Sequence, residues 1–180
     1  RFMGQFQHYS FEFFEKNPSL QFDGKHGPTE ILKNKEISID LESSEFSLTE
    51  GGSGPLCKII EEYKKLYPAV DKKIRKWRLY RWGQLMRYNP GNYYSYEHCE
   101  NDGLINNSFY CHTRVFAWQL FLNSIEDGGG TYFTHQNFVA KPREGDLYIW
   151  PAYWTHMHKG IVAPKETKYI ITGWCNFINE

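Results

Sequence analysis

One stretch in the first half of the chain has apolar residues that repeat with the period of a helix. They recur at steps of three and four residues: Leu56, Ile59, Ile60, Tyr63 and Leu66. This spacing places them on one side of an amphipathic helix, and it predicts a helix over about 56–66 that ends before Pro68. Upstream, the alternation of apolar and polar residues in 36–41 predicts one strand among loops.

From about residue 80 the pattern is typical of short strands separated by turns. Alternating positions predict strands over 84–88, 92–100, 114–123, 131–139, 146–150, 155–162 and 167–177. Turn residues separate several of them, as in the run Asp127-Gly128-Gly129-Gly130. Closely spaced short strands favour a double-sheet arrangement. The predicted fold class is therefore mainly β with flanking helices, in the form of a jelly-roll barrel.

The length of the chain favours a single domain. A chain of 180 residues lies within the usual size range of one domain. We expect residues 1–180 to form one unit, in which 1–80 contribute a strand and a helix that support a core at 80–178. Aromatic residues make up 18% of the chain, and they favour a β-rich core because they fit the surface of a sheet.

Charge and cysteine content make several classes of protein less favoured. Lys+Arg and Asp+Glu balance at 21 each, so no overall field attracts nucleic acid, and no nucleic-acid partner is expected. No apolar run reaches the roughly 20 residues of a membrane helix, and the first residues lack the apolar block of a signal peptide. The four cysteines form no C-x-x-C pair, so the sequence indicates neither a zinc ribbon nor a disulfide framework. We expect a cytoplasmic protein without a membrane partner.

A His-x-Glu pair is the first candidate for chemistry. His98 and Glu100 lie two residues apart in the predicted strand 92–100, so they share one of its faces. An imidazole and a carboxylate can take two adjacent positions around a metal ion, and a second His would complete a set that leaves positions open for substrate and O₂. Both His156 and His158 qualify as that third ligand. By itself the pair is weak evidence, because an isolated strand histidine is more often structural.

A lysine downstream strengthens the interpretation. Lys168 follows His158 by ten residues and shares a face of the predicted strand 167–177 with Thr172 and Trp174. A cation among apolar neighbours needs an anionic partner. The sequence therefore predicts that this cation lies in the same cavity as the candidate metal ligands.

Several motifs follow one another in a characteristic order. They are Tyr88-Asn89-Pro90-Gly91, His98-Cys99-Glu100, the stretch from Arg114 to Asn123, the stretch from Glu126 to Phe133, the stretch from Lys141 to Asp146, His158-Lys159-Gly160, Lys168 and Trp174. In this order and spacing the chain resembles the prolyl 4-hydroxylase-like group of Fe(II)/2-oxoglutarate-dependent dioxygenases. The resemblance covers about residues 80–178 and is thin over the first 80 residues.

The resemblance implies a double-stranded β-helix fold and a set of site residues. Fe(II) would be held by three ligands, His98, Glu100 and His158. The distal carboxylate of 2-oxoglutarate would pair with Lys168, and the co-substrate would be positioned with the help of Tyr88 and Trp174. Together with O₂, and with ascorbate as a compatible reductant, such an enzyme hydroxylates an unactivated C–H bond and releases succinate and CO₂. A prolyl or peptidyl substrate is the nearest extrapolation, with proteins, amino acids and small molecules left open.

The sequence departs from the pattern of that group at several positions. Glu100 stands where the usual ligand is Asp, and Asp102 could take its place only if a bulge or turn brought it back. One extra residue separates Tyr88 from His98, so either a bulge absorbs it or Tyr94 takes the role of Tyr88. Ala117 stands where that group commonly has a polar residue that contacts the co-substrate, and Gln119 could take over this contact. Arg114 falls where the group has an Arg at the start of a central strand.

Two other classes of function are compatible with these residues. One is a cupin-like metal enzyme that does not use 2-oxoglutarate, in which Lys168 is incidental. The other is a non-catalytic β-barrel that binds a ligand in an aromatic cavity. A Lys168→Ala variant separates the first class from a dioxygenase, because the dioxygenase would lose 2-oxoglutarate affinity and keep most of its iron binding.

Overall fold

A computed structural model describes residues 2–24, 34–43, 46, 48, 54–101 and 111–178, with side chains from residue 8 onward. Three helices lie in the first part of the chain: α1 (Phe2–Lys16), α2 (Pro55–Leu66) and α3 (Ala69–Lys72). Helix α2 confirms the predicted helix, since it has Pro55 in its first turn and ends before Pro68. Within the described residues, no helix is both long enough and apolar enough to cross a bilayer.

A seven-stranded antiparallel sheet, the major sheet, forms the centre of the fold. It consists of β1 (Phe22–Asp23), β2 (Asn34–Asp40), β3 (Trp77–Leu79), β4 (Trp82–Tyr88), β5 (Arg114–Phe121), β8 (Leu147–Pro151) and β10 (Lys168–Phe177). The order across the sheet is β1-β2-β4-β10-β5-β8, and β3 pairs with the far end of β10. The long strand β10 therefore lies between β4 and β5, which were predicted as separate strands.

A second, three-stranded sheet, the minor sheet, faces the major one. It contains β6 (Thr131–Phe133), β7 (Phe138–Ala140) and β9 (His158–Gly160) in the order β7-β6-β9. The residues packed between the sheets form one apolar cluster: Met86, Tyr88, Ala117, Phe121, Phe133, Ala140, Trp150 and Ile170. Because Phe133 and Ala140 come from the minor sheet, this cluster joins the two sheets.

The opposite face of the major sheet is covered by the helices. Along β5, Ala117 and Phe121 face the minor sheet, whereas Trp118 and Leu120 belong to the cluster under the helices. Helix α1 contributes Phe14, which is fully buried there. With both faces covered, nearly every residue of β5 is buried, as expected for a central strand. One hydrophobic cluster thus includes residues from both the N-terminal part of the chain and the core.

The predicted strands agree with the structure except in three places. Residues 92–100 form a loop with one isolated bridge at His98, so the predicted strand there is wrong. The segment 131–139 is a hairpin of β6 and β7 rather than one strand. The segment 155–162 contains a 3₁₀ turn (Trp154–His156) before the short strand β9. Helix α1 was not predicted at all.

Candidate metal centre and active site

Three candidate ligands meet between the two sheets. His98 and Glu100 lie in the loop after β4, and His158 is the first residue of β9. One ligand atom from each residue lies within 4.8 Å of the others. The Nε2 atom of His158 is 3.3 Å from Oε1 of Glu100, and the Nε2 atom of His98 is 3.7 Å from the same oxygen. Two imidazoles and one carboxylate oxygen thus converge on one point, a donor set that suits Fe(II).

The backbone holds the two histidines side by side. The amide of His98 donates to the carbonyl of His158 over 3.0 Å, and the amide of His158 donates back over 2.9 Å. Two residues further along β9, the Gly160 amide donates to the Tyr94 carbonyl. These bonds place the two imidazole centroids 4.4 Å apart. The loop that carries His98 is therefore fixed to the minor sheet without being a strand.

Hydrogen bonds also orient both imidazole rings. The Nδ1 atom of His98 lies 3.1 Å from the Tyr96 carbonyl, and the Nδ1 atom of His158 lies 2.9 Å from the His156 carbonyl. A carbonyl can only accept, so each Nδ1 carries a proton, and with a metal bound the ligating lone pair would be the one on Nε2. The Nε2 atoms are the ones that face Glu100. The rings are thus arranged as metal-ligating histidines usually are.

Glu100 is an ionised carboxylate in a mostly buried position. Its side chain is 12% exposed, and burial alone would raise its pKa. Hydrogen bonds with His158 and His98, together with the charges of His98 and Arg114, outweigh that effect and hold the pKa well below its usual value. At neutral pH the group is therefore an anion with one oxygen directed at the two histidines.

A buried lysine lies in the same cavity. Lys168 is 3% exposed, and its ammonium donates to the Gly129 carbonyl over 2.9 Å. The ammonium also lies 4.6 Å from the centroid of the Tyr88 ring. In the part of the chain that the structure describes, no carboxylate pairs with it, and burial lowers its pKa to about 8. A buried ammonium that has no carboxylate partner among the described residues is suited to bind an anion.

The space between these groups is a cavity of about 120 Å³. Its polar wall is formed by Gln119, Thr131 and Thr172, and its apolar wall by Met86 and Ile170 among others. The Nε2 atom of Gln119 is buried and has no hydrogen-bond partner among the described residues. A cavity with a cation, a vacant amide donor and hydroxyl groups is suited to a small, polar, anionic molecule.

The remaining predicted site residues differ in whether they line the cavity or contact the candidate ligands. Tyr88 is buried beside Lys168 and lines the cavity, as do Tyr94 and Trp174. The indole N–H of Trp174, however, donates to Glu100 over 2.7 Å. His156 has its Nδ1 atom 3.0 Å from the Thr155 hydroxyl and does not belong to the group of candidate ligands. The alternative ligand Asp102 lies outside the described residues.

Sequence reasoning missed several parts of the site. The Gly129 carbonyl that accepts from Lys168 belongs to a glycine run for which the sequence predicts a turn and a family motif, but no contact with the lysine. The contact of Arg114 with Glu100, at 3.3 Å, joins residues whose pairing no periodic pattern indicates. Thr131, which donates to Gln119 over 3.2 Å, belongs to a predicted strand and could have been noticed as a polar residue on its inner face.

Comparisons with known proteins give structural neighbours. No protein-family model and no curated protein sequence matches the chain. A viral collagen prolyl hydroxylase from Paramecium Bursaria Chlorella virus-1, in its 2OG complex, is 18% identical with a TM-score of 0.64, and the match covers 96% of this chain and 91% of that chain. A prolyl-4-hydroxylase from Pseudomonas putida is 14% identical with a TM-score of 0.63 (97% and 86% covered).

A third neighbour was solved with a peptide. It is a prolyl hydroxylase from Trichoplax adhaerens in complex with a hypoxia inducible factor peptide fragment, at 14% identity and a TM-score of 0.64, with 98% of this chain and 79% of that chain covered. At such identities these matches show a shared fold. The resemblance predicted from the motifs is thus confirmed at the level of the fold, which is mainly β with antiparallel sheets.

Proposed function

We propose that the protein is an Fe(II)- and 2-oxoglutarate-dependent dioxygenase that hydroxylates a C–H bond and releases succinate and CO₂. The observation that carries the proposal is the position of the His98, Glu100 and His158 donor atoms beside the buried Lys168, all lining one cavity. A metal site alone fits many enzymes. An anion site in the wall of the same small cavity fits a co-substrate that both chelates the metal and carries a remote carboxylate.

Each residue has a defined task in this proposal. His98, Glu100 and His158 would hold the metal and leave positions for 2-oxoglutarate and O₂. The ammonium of Lys168 holds the distal carboxylate of 2-oxoglutarate, and the Tyr88 ring lies beside that ammonium. Iron with these two co-substrates supplies the oxidising power for the C–H bond.

The vacant donor of Gln119 adds to the co-substrate site. Gln119 lines the cavity; its Oε1 accepts from the Thr131 hydroxyl, and its buried Nε2 has no partner among the described residues. An amide fixed in this way presents its N–H₂ to a carboxylate. Gln119 therefore supplies the polar contact that Ala117, which is fully buried and apolar, does not.

The substrate class belongs to the same proposal. A peptidyl substrate, with proline as the nearest candidate, is supported by the Trichoplax neighbour, which was solved with a peptide fragment. The double-stranded β-helix implied by the resemblance is consistent with two facing antiparallel sheets. Ascorbate would serve as an external reductant, as the resemblance implies.

Anaerobic titration tests the proposal. The purified protein is mixed with Fe(II), and 2-oxoglutarate is then added while the visible spectrum is recorded. We expect the weak absorption band of iron chelated by a 2-oxo acid. Lys168→Ala should weaken 2-oxoglutarate binding strongly and leave Fe(II) binding largely intact, whereas Lys159→Ala, an exposed lysine of β9, should change neither.

The contrary outcomes identify the other function classes. If the folded protein binds Fe(II) but the band never develops, the protein is a metal-binding barrel that does not use 2-oxoglutarate. If it binds neither, a non-catalytic binding module is the remaining interpretation. Formation of succinate without added substrate would argue against both.

A further inference from the structure

The second oxygen of Glu100 has partners of its own, and these bear on the proposed metal site. Oε1 faces the two imidazoles, whereas Oε2 accepts from the Trp174 indole N–H over 2.7 Å and from the Arg114 guanidinium over 3.3 Å. The two oxygens of one carboxylate are thus divided between two sets of donors. The side chain as a whole has little freedom to rotate, because each oxygen is held from a different direction.

Arg114 and Trp174 also support each other. The guanidinium lies 3.8 Å from the centroid of the Trp174 ring, a cation–π contact that fixes its plane. The same guanidinium donates to the backbone carbonyl of Glu100 over 3.2 Å. Arg114 begins β5 and Trp174 lies on the adjacent strand β10. The pair is therefore built into the major sheet, opposite the minor sheet that carries His158.

Low solvent exposure makes these bonds strong. The side chains of Glu100 and Arg114 are 12% and 15% exposed. Hydrogen bonds in which the donor or the acceptor is ionised are about twice as strong as neutral ones. A carboxylate oxygen that accepts two such bonds is not available to a metal ion, so Glu100 would ligate through Oε1 alone. One-oxygen ligation would leave one more position of the metal open than two-oxygen ligation.

We propose that Arg114 and Trp174 form a clamp that positions Glu100 as a one-oxygen metal ligand. A glutamate has one more rotatable bond than an aspartate, and ordering it costs more entropy. The clamp offsets this cost by holding Oε2, so that Oε1 reaches the point on which the histidines converge. Arg114 and Trp174 are positioning residues in this proposal, which rests on the proposed metal site.

Binding of Co(II), a spectroscopic substitute for Fe(II), tests the clamp without turnover. The dissociation constant of Co(II) is measured for the wild type, Trp174→Phe and Arg114→Lys by a titration that follows the visible absorption bands of bound Co(II). We expect each variant to bind roughly 10 to 100 times more weakly, the usual effect of removing a partner of a metal ligand. Phe keeps the ring that packs below Arg114, so the change in Trp174→Phe isolates the lost N–H donor.

Two control variants remove similar bonds on the other face of the major sheet. Trp77→Phe removes an indole N–H that donates to the Val70 carbonyl over 2.6 Å. Arg87→Lys alters a guanidinium that contacts both carboxylate oxygens of Glu15 at 2.8 and 2.9 Å. Both should bind Co(II) within about twofold of the wild type, since these bonds lie on the face of the sheet away from the candidate ligands.

A shorter carboxylate gives a second, independent readout. Glu100→Asp cannot reach both the clamp and the histidines, so it should weaken Co(II) binding in the wild-type background. In the Trp174→Phe background the same change should weaken binding much less, because the clamp is already broken. This coupling separates a positioning role from a general loss of stability, which would make the two effects add.

The outcomes distinguish the clamp from the metal site itself. Wild-type binding of Co(II) that Trp174→Phe and Arg114→Lys leave unchanged would overturn the clamp and leave the proposed function standing. Additive losses for Glu100→Asp and Trp174→Phe would overturn it as well. A wild-type protein that binds no Co(II) while folded would overturn the proposed function together with the clamp.

Discussion

His156 and His158 lie two residues apart, and the structure gives them different surroundings. The imidazole of His158 is 5% exposed and has Nε2 directed at Glu100, whereas His156 ends a 3₁₀ turn with its ring beside Thr155. Only the carbonyl of His156 takes part in the site, as the acceptor for the His158 ring. The backbone of His156 thus orients His158, and its side chain is not required for that.

This difference predicts opposite effects for two alanine variants. His158→Ala should abolish tight Fe(II) or Co(II) binding, because two ligands remain of three. His156→Ala should keep it within a few-fold, since the carbonyl that orients His158 is unchanged. Calorimetric titration with Co(II) measures both. Equal losses in the two variants would contradict the assignment of His158 as the third ligand.

The buried ammonium of Lys168 predicts a pH dependence of co-substrate affinity. Its pKa is lowered to about 8 by burial, so the free protein carries the charge below that pH and loses it above. Affinity for 2-oxoglutarate should be constant below about pH 8 and fall roughly tenfold per unit above it, because a neutral lysine cannot pair with the carboxylate. Dissociation constants of the Co(II)-loaded protein between about pH 6.5 and 9.5 measure the effect.

Lys168→Arg is the matched control for this pH dependence. A guanidinium stays charged over the whole range. Whatever affinity the variant retains should show no decline above about pH 8. The same slope in the variant as in the wild type would mean that another group, and not Lys168, causes the decline.

At the scale of single elements, the loop that carries His98 shows what the sequence could and could not predict about the site. Alternation predicted a strand at 92–100, and the spacing of His98 and Glu100 was interpreted on that basis. The segment instead makes one bridge, at His98, and Glu100 contacts Arg114 of β5 at 3.3 Å. The residues of the site could be chosen from motif order, but the contacts that orient them depend on distant strands.

Helix α1 is an element that the structure contains but the sequence pattern did not predict. Its sequence is rich in aromatic residues, which favour strands in isolation. The helix forms because Phe14 is fully buried under the major sheet, with Phe11 and Phe13 packed against the same cluster. Tertiary packing of this kind overrides propensity, and no local pattern reports it. Helix α2 was predictable because it has a regular apolar face, Pro55 at its first position and Pro68 just beyond its end.

The close approach of β9 to the His98 loop gives a prediction at this scale. A Cβ on Gly160 would lie 2.9 Å from the backbone carbonyl oxygen of Tyr94 and 3.1 Å from the backbone nitrogen of the same residue. Gly160→Ala should therefore push the loop away from β9 and weaken the pairing of His98 with His158. We expect at least a tenfold loss of Co(II) affinity, with a melting temperature lowered by a few degrees.

The neighbouring Lys159 provides the control for that variant. Lys159 is exposed on the same short strand, and Lys159→Ala should leave Co(II) affinity unchanged. Wild-type affinity in Gly160→Ala would show that the contact between the loop and β9 does not position the ligands.

For the whole molecule, the site is a junction between the two sheets. His158 belongs to the minor sheet, Lys168 and Trp174 to the major sheet, and His98 to the loop between β4 and β5. The unfolded chain does not hold these groups together, so a metal ion and an anion bound here would stabilise the folded state alone. Ligand binding should therefore raise the stability of the entire fold rather than of one loop.

Thermal unfolding measures this coupling. Co(II) at about 100 times its dissociation constant should stabilise the wild type by about 2.7 kcal/mol, which for a chain of this size is a rise of roughly 5 to 11 °C in melting temperature. Further 2-oxoglutarate should add to the rise in the wild type and add little in Lys168→Ala, where the anion loses its buried partner. His98→Ala should show almost no rise with Co(II). An equal rise in His98→Ala would mean that the metal stabilises the fold from another position, and that the two sheets are not joined through this site.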